Sequence, residues 1–550
     1  MARPLTEAGI KKEIARTTRA QSDAADPKAS VWVSANAGTG KTHVLVNRVL
    51  RLMLAGTPPE RILCLTYTKA AAAEMSKRVF GTLAKWVTAA DGSLRPVLSE
   101  LLTRPATTTD MTLARTLFTR AIETPGGLKV QTIHAFCERL LQRFPLEAGV
   151  PPGFQILDDD EARAIHGEAI ERTLGDATRD RNSPLGKALA VAIAHAADDR
   201  FDDVLKSAIR RREWLETASR MDLTSGQTPF AAAGALYRKA LGVRAGVTSE
   251  CIAAEQATVL ADELLARGAE VMLAGKSTDQ EIGSALAKAR TATTPKDRIA
   301  ALRAAFLTKD GGARADKRFV TKAIQQDNPG LYASLVDARD RFASLEGELR
   351  AMGAIDATLA LLTLSDHVMQ LYDEGKRRRA ALDFDDLIAK TANLLATSSS
   401  AEWVLYKLDG GLDHILVDES QDTAPTQWRV IEALAQEFFS GAGAREDKRT
   451  LFAVGDEKQS IYSFQGAAPE MFATMGQRFA AMAGDARELW RQVPLDLSFR
   501  SVAPVLDAVD SVFADARRTP GLISTAPAVG ATSIGHIAHL TLEPRALDVH

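Results

Sequence analysis

Residues 30–54 read SVWVSANAGTGKTHVLVNRVLRLML. An apolar, β-branched run ends in a loop rich in glycine, and a stretch with apolar residues at helical spacing follows at once. Strand, tight loop and helix in that order form one half of a βαβ unit. Within the loop, Ala35 to Thr42 (ANAGTGKT) match the phosphate-loop pattern except that Ala35 replaces its first glycine. Glycines let backbone N–H groups curl round phosphates at a helix N-terminus. Lys41 is placed to neutralise the β and γ groups, and Thr42 to ligate magnesium.

The same texture recurs outward from this stretch. SVWVSA, ILCLT, LKVQT, HILVD, TLFAVGD and LDLS are short runs, apolar on both faces, and polar residues follow each. Such runs predict a parallel sheet covered by helices on both sides, an α/β fold. They lie from Val31 to about Leu157 and from about Asp383 to Phe499. Between them, residues 158–380 are rich in Ala, Arg, Glu and Asp with a 3.6-residue period, as in DDEARAIHGEAIERTL, which predicts a helical insertion. The expected organisation is a sheet-bearing domain in two parts (1–157 and 381–494), the insertion between them (158–380), and the start of a further domain (495–550) that rests on the family resemblance given below.

Composition narrows the function classes. With 68 Lys and Arg against 70 Asp and Glu, the net charge is −2, so any polyanion site must be local. Cys64, Cys137 and Cys251 are too scattered for a disulfide framework or zinc knuckle. MARPLTEAGIKKEIARTTRAQ has no apolar core of a signal peptide, and no 18 apolar residues run together. A cytoplasmic protein is the expectation. HILVDESQD supplies a strand ending in Asp418 and Glu419. In a metal-assisted phosphoryl-transfer site one such carboxylate holds the magnesium shell and its neighbour deprotonates the attacking water. Gln459 and Arg500, each shortly after an expected strand, are able to touch a γ-phosphate.

AQSDAA, ANAGTGKT, LTYTKAAAAEM, QTIHAF, LDFDDLI, VDESQD, VGDEKQSIYSFQGA and LSFRS occur in this order. The series resembles the consecutive motifs of UvrD/Rep-type superfamily 1 DNA helicases, and most closely the helicase subunits of double-strand-break repair helicase–nucleases. That resemblance implies a RecA-like P-loop sheet with the start of a second RecA-like domain. It also implies ATP and Mg2+ as ligands, single-stranded and duplex DNA as partners, a nuclease-bearing partner protein, and 3′-to-5′ movement.

Residue by residue, it implies that Gln21 reads adenine and that Ala35, Asn36, Ala37, Gly38, Thr39, Gly40, Lys41 and Thr42 cradle the phosphates. Thr42 and Asp418 hold the metal, Glu419 is the general base, and Gln459 and Arg500 sense the γ-phosphate. Thr66, Tyr67, Thr68, Thr132 and His134 fall where the family grips single-stranded DNA. Tyr462 and Phe464 fall where bases stack, a contact worth roughly 1–3 kcal/mol per base without sequence preference. His134 is equally readable as a helix-start hydrogen bonder, and Tyr67, Tyr462 and Phe464 as packing residues. Many relatives carry Trp and Arg where this chain has Phe464 and Gln465. The later helicase motifs and the nuclease domain do not occur in the sequence, so a fragment or truncated product is the expectation, and a nucleotide- and DNA-binding module without turnover is the alternative. A P-loop kinase or transporter ATPase fits less well, because QSIYSFQG is aromatic and no LSGGQ occurs.

Overall fold

In the computed structural model the described residues are 7–36, 38–124, 127–195, 198–210, 212–223, 230–396, 399–409, 411–439, 448–456, 459–460, 468–495 and 497–499. They form two compact units: Met1–Leu157 with Ala380–His550, and Asp158–Arg379.

The first unit is built on six strands: β1 (Ser30–Ala35), β2 (Ile62–Thr66), β3 (Lys129–Thr132), β6 (His414–Val417), β7 (Thr450–Gly455) and β8 (Trp490–Leu495). They lie in the order β3-β2-β6-β7-β1-β8, and every pair is parallel. Two short strands, β4 (Gln155–Ile156) and β5 (Ala381–Leu382), pair with each other. Parallel strands are buried on both faces, and the alternation of side chains divides them between two cores. Trp32, Leu63, Leu65, Ile415, Val417, Leu451 and Ala453 enter one core. Helices Phe384–Ala396, Pro425–Phe439 and Pro469–Asp485 cover that face. Val31, Val33, Ile62, Cys64, Leu416, Phe452 and Val454 enter the other.

The helices of the early part are α1 (Glu7–Ala24), α2 (Lys41–Leu54), α3 (Lys69–Thr88), α4 (Asp91–Leu102), α5 (Thr108–Glu123) and α6 (Ile133–Arg143). The last of these packs in the first core, while α2 to α5 contribute to the second.

One expected strand is corrected. LDLS (495–498) is not the strand; β8 is the six residues WRQVPL that end where LDLS begins. Among the described residues it is an edge strand whose one neighbour is β1, half-exposed, with Arg491, Gln492 and Pro494 in it. An edge tolerates polar residues and a proline that central strands exclude, which hides it from an apolar-run reading. The expected start of a second domain at 495–550 lies almost wholly outside the described residues.

Among its described residues the second unit is built of helices, with one isolated antiparallel bridge between Leu307 and Ala313. It opens on a reciprocal cap, in which Asp158 accepts the Asp160 and Glu161 amides at 2.9 and 2.8 Å and Glu161 accepts the Asp158 amide at 3.1 Å. Its spine is one helix, Pro329–Arg378, of 50 residues, about 75 Å long at 1.5 Å per residue. The first part of that helix shares a core with the helices of residues 262–306. In the host unit, the chain breaks off after β4 and resumes at β5, which are hydrogen-bonded neighbours: the Gln155 amide donates to the Ala380 carbonyl at 3.0 Å and that of Leu157 to Leu382 at 2.9 Å. Among the described residues no helix is long and apolar enough to cross a membrane. All three cysteines are free thiols.

A buried arginine fastens the start of the sheet-bearing unit. Arg48, fully buried on α2, donates to the carbonyls of Ala24, Asp26 and Ala29 at 3.2, 2.7 and 2.6 Å, and to Thr450 Oγ1 at 2.9 Å. Burial pulls its pKa down to about 9, so it stays cationic at neutral pH. It ties the α1–β1 connection to the first residue of β7. Arg48→Met keeps the aliphatic bulk but strands these acceptors, and is expected to cost about 3 kcal/mol. A lowered urea midpoint for this unit checks it, and an unchanged midpoint contradicts it.

Candidate active site

Because all six strands run the same way, their carboxyl ends and the polar residues that follow line up along one edge. From β3 through β2, β6 and β7 to β1 this row is roughly 20 Å long at the ordinary strand spacing. Each candidate residue that lies within the described set, apart from Gln21 on α1, is on this row.

The phosphate loop begins where β1 stops. The Asn36 amide donates to the Leu495 carbonyl at 3.2 Å, and the Asn36 carbonyl accepts the Thr39 hydroxyl at 2.9 Å. Gly38 and Gly40 take left-handed backbone, φ +77 and +89°. A side chain at Gly40 would be strained by that φ and would also meet Gln21 Nε2 at 2.8 Å. Gln21 itself donates to the Thr39 carbonyl at 2.9 Å, so it stands against the loop. Lys41 and Thr42 open α2, whose N-terminus has neither a side-chain cap nor an acidic residue in its first turn. Its unpaired N–H groups and dipole therefore suit an anion. The Phe499 amide donates to the Gly38 carbonyl at 2.9 Å, which brings Phe499 to the loop. Ala37 and Arg500 lie outside the described residues.

Across from the loop, β6 ends in the two carboxylates. Lys41 Nζ meets Glu419 Oε2 at 2.8 Å, an ion pair spanning 378 residues of sequence. Glu419 adopts left-handed backbone, φ +47°, which is costly for a residue with a side chain and is tolerated where surroundings enforce it. Asp418 is 7% exposed. Burial first, then the neighbouring Glu419 charge, push its pKa up to about 6, against the Glu419 amide that donates to it at 3.0 Å and the Lys41 charge. A carboxyl in that state gains most from a nearby cation. Among the described residues no three His, Cys, Asp or Glu side chains converge as a metal site.

At the end of β7, Gln459 donates through Nε2 to Asp456 Oδ2 and through its backbone to the Asp456 carbonyl, the latter at 2.9 Å. Nothing in the sequence marks a role for Asp456, or for Gln421. The latter donates to Glu419 Oε2 at 2.9 Å and accepts the Asp456 amide at 2.9 Å, joining the ends of β6 and β7. A glutamine inside a polar run has no periodic or compositional signal by which to be found.

The ends of β2 and β3 carry the second group of candidates, and Thr66 and Thr132 are register partners. Thr66 is buried and its hydroxyl donates to the Thr68 carbonyl at 3.1 Å, so it shapes the turn. Tyr67 is half-buried. Thr68 and Thr132 are the N-caps of α3 and α6, accepting the Ala71 and Ala135 amides at 3.0 and 3.2 Å. A capping hydroxyl still has its own proton to donate to a ligand. His134 packs edge-to-face on Phe384, ring centroids 5.7 Å apart. Burial lowers the His134 pKa, only partly offset by Asp385, so the ring is neutral at pH 7. Phe384 is 44% exposed, and its signal was an aromatic inside LDFDDLI. Tyr462 and Phe464 lie outside the described residues.

Residues 17–480 match the model of the UvrD/REP helicase N-terminal domain. Proteins named as the A subunit of an ATP-dependent helicase/nuclease are similar: that of Desulfitobacterium hafniense is 28% identical over 534 residues, covering 90% of this chain and 36% of its own length. Those of Lactiplantibacillus plantarum and Pelotomaculum thermopropionicum are each 26% identical, covering 89% and 93% of this chain and 38% of their own lengths. The chain thus spans a little over a third of the length of these curated relatives. The family match runs from just before Gln21 to beyond Gln459, across phosphate loop, paired carboxylates and helical insertion alike, and on that extent the chain belongs to the UvrD/REP helicase family.

Proposed function

We propose that this chain binds ATP with Mg2+ at the carboxyl ends of β1, β6 and β7 and couples its hydrolysis to 3′-to-5′ movement along single-stranded DNA. In this reading it is the helicase subunit of an AddA type, acting in the cytoplasm with an AddB-like nuclease subunit on duplex DNA in double-strand-break repair by homologous recombination. The observation that carries the reading is the Lys41–Glu419 pair at 2.8 Å. It joins the phosphate loop to the paired carboxylates, the two halves that phosphoryl transfer needs.

The chemistry then follows from the residues. The amides of the loop from Ala35 to Thr42 take the phosphates, and Lys41 leaves Glu419 for the β and γ groups. Thr42 and Asp418 would hold Mg2+, which supplies charge neutralisation on the phosphates. The raised pKa of buried Asp418 fits that role, and a magnesium ion completes its shell from phosphate and water rather than from a cage of protein ligands. Glu419 takes the proton of the water that attacks the γ-phosphorus, while the bond to the β-γ bridging oxygen breaks and ADP leaves. Beyond the nucleotide, Thr68, Thr132, His134 and exposed Phe384 offer hydroxyl donors and ring faces to a single strand. A neutral His134 would act there as a hydrogen bonder or stacking ring rather than as a cation.

Three outcomes are expected. Glu419→Gln in the native protein keeps nucleotide affinity and loses turnover by about 10³-fold or more, because the base is gone while the cradle stays; turnover near wild type removes Glu419 from this role. Asp418 must lose its proton to bind a cation, so Mg2+-dependent nucleotide affinity falls as pH drops through about 6. Titrating a fluorescent nucleotide with and without Mg2+ at several pH values reads this, and Asp418→Asn, which has no such proton, is expected to flatten the profile. An equal pH response in wild type and variant contradicts it. Finally, Phe384→Ala weakens binding of a single-stranded oligonucleotide roughly 5- to 100-fold, the worth of one stacked base, and leaves DNA-free nucleotide affinity alone. Unchanged oligonucleotide affinity rules Phe384 out.

A further inference from the structure

Gln421 is 2% exposed, and both ends of its amide are engaged. Nε2 donates to Glu419 Oε2 at 2.9 Å and to Asp422 Oδ2 at 3.1 Å, while Oε1 accepts the Asp456 amide at 2.9 Å. The fit leaves no slack, since a side chain at Gly455 would come within 3.0 Å of that same Oε1. Asp456 in turn receives Gln459. A continuous hydrogen-bonded line therefore runs Glu419–Gln421–Asp456–Gln459 across the ends of β6 and β7.

Among the described residues Glu419 Oε2 has two donors, Lys41 at 2.8 Å and Gln421. They differ in what happens when nucleotide arrives. Lys41 belongs to the phosphate loop and turns to the phosphates, whereas Gln421 is buried, fixed at both ends and remote from the loop in sequence. Glu419, held in left-handed backbone, must stay aimed after losing its cation. A neutral donor suits that need, because it orients a carboxylate without the strong stabilisation of negative charge by a cation, which would weaken the carboxylate as a base.

We propose that Gln421 is a positioning residue that keeps the Glu419 carboxylate aimed once Lys41 has moved to the nucleotide, and that locks it to the Asp456–Gln459 turn. The inference rests on the reading of Glu419 as the base. Its test compares Gln421→Met, which keeps the volume and loses all three hydrogen bonds, with Gln421→Glu, which keeps an acceptor for the Asp456 amide and loses the donor to Glu419 and Asp422. Both are made in the native, full-length protein. ATP turnover is measured with single-stranded DNA present, and affinity with a fluorescent ATP analogue.

For both variants kcat is expected to fall roughly tenfold to a hundredfold, the worth of a hydrogen bond to a charged group, with nucleotide affinity within about threefold of wild type. Wild-type kcat in Gln421→Met overturns the proposal. So does a loss of affinity in step with kcat in both variants, the mark of a residue that only holds the fold. Glu419→Gln, run beside them, separates the two readings. If it still turns over, the assignment of Glu419 fails; if it is dead while the Gln421 variants are intact, only the role of Gln421 fails.

Discussion

The constraint on which the rest depends is that the six strands are all parallel. An antiparallel neighbour would send its polar terminus to the opposite edge. Here the ends of β1, β6 and β7 instead face the same side, and the residues following them meet although they lie hundreds of positions apart in the chain. The pair Lys41–Glu419 is the shortest expression of that constraint. The inner strands β1, β2, β6 and β7 are buried on both faces, so what they offer to chemistry is their ends, and ligands of such sheets bind outside the carboxyl ends.

Charge at that edge is arranged so that one state needs another group to complete it. Asp418 is driven toward its neutral form by burial and by Glu419, and the α2 N-terminus lacks any acidic side chain to satisfy it. Lys41 and Glu419 meanwhile neutralise each other, Glu419 being the more exposed of the two. A polyanion with a divalent cation would resolve all three at once: anion to the helix end and Lys41, cation to Asp418, and a freed carboxylate at Glu419. On the proposed reading, Gln421 is what lets that exchange occur without the carboxylate drifting, since it is the one donor in the arrangement that has no competing claim from a phosphate.

Much of this was legible in the sequence because fully buried parallel strands are apolar on both faces and stop abruptly at polar residues. β1, β2, β6 and β7 announced themselves that way, and so did the loop with Gly38 and Gly40; β3 (KVQT), half-buried at its start, was legible only as a short run ahead of a helix. β8 did not, since an edge strand with Arg491, Gln492 and Pro494 lacks the apolar signature. Arg48 sits in a helix where an arginine ordinarily faces solvent; its burial follows from carbonyls of residues 24–29 and from Thr450, 402 positions away, which no local pattern encodes. Gln421 and Asp456 were hidden for the same reason, their meaning lying in each other. Thr68 and Thr132 had a legible capping role, each standing just before a helix, which the reading of them as ligand contacts passed over.

The most direct test of the central claim is a crystal structure of the protein with Mg2+ and a non-hydrolysable ATP analogue. The account predicts the triphosphate along the Ala35–Thr42 loop, Lys41 Nζ moved from Glu419 to the phosphates, the cation against Thr42 and Asp418, and the Gln421–Glu419 hydrogen bond intact. Nucleotide bound away from this edge, or bound at the loop with the Lys41–Glu419 pair unbroken, would contradict it.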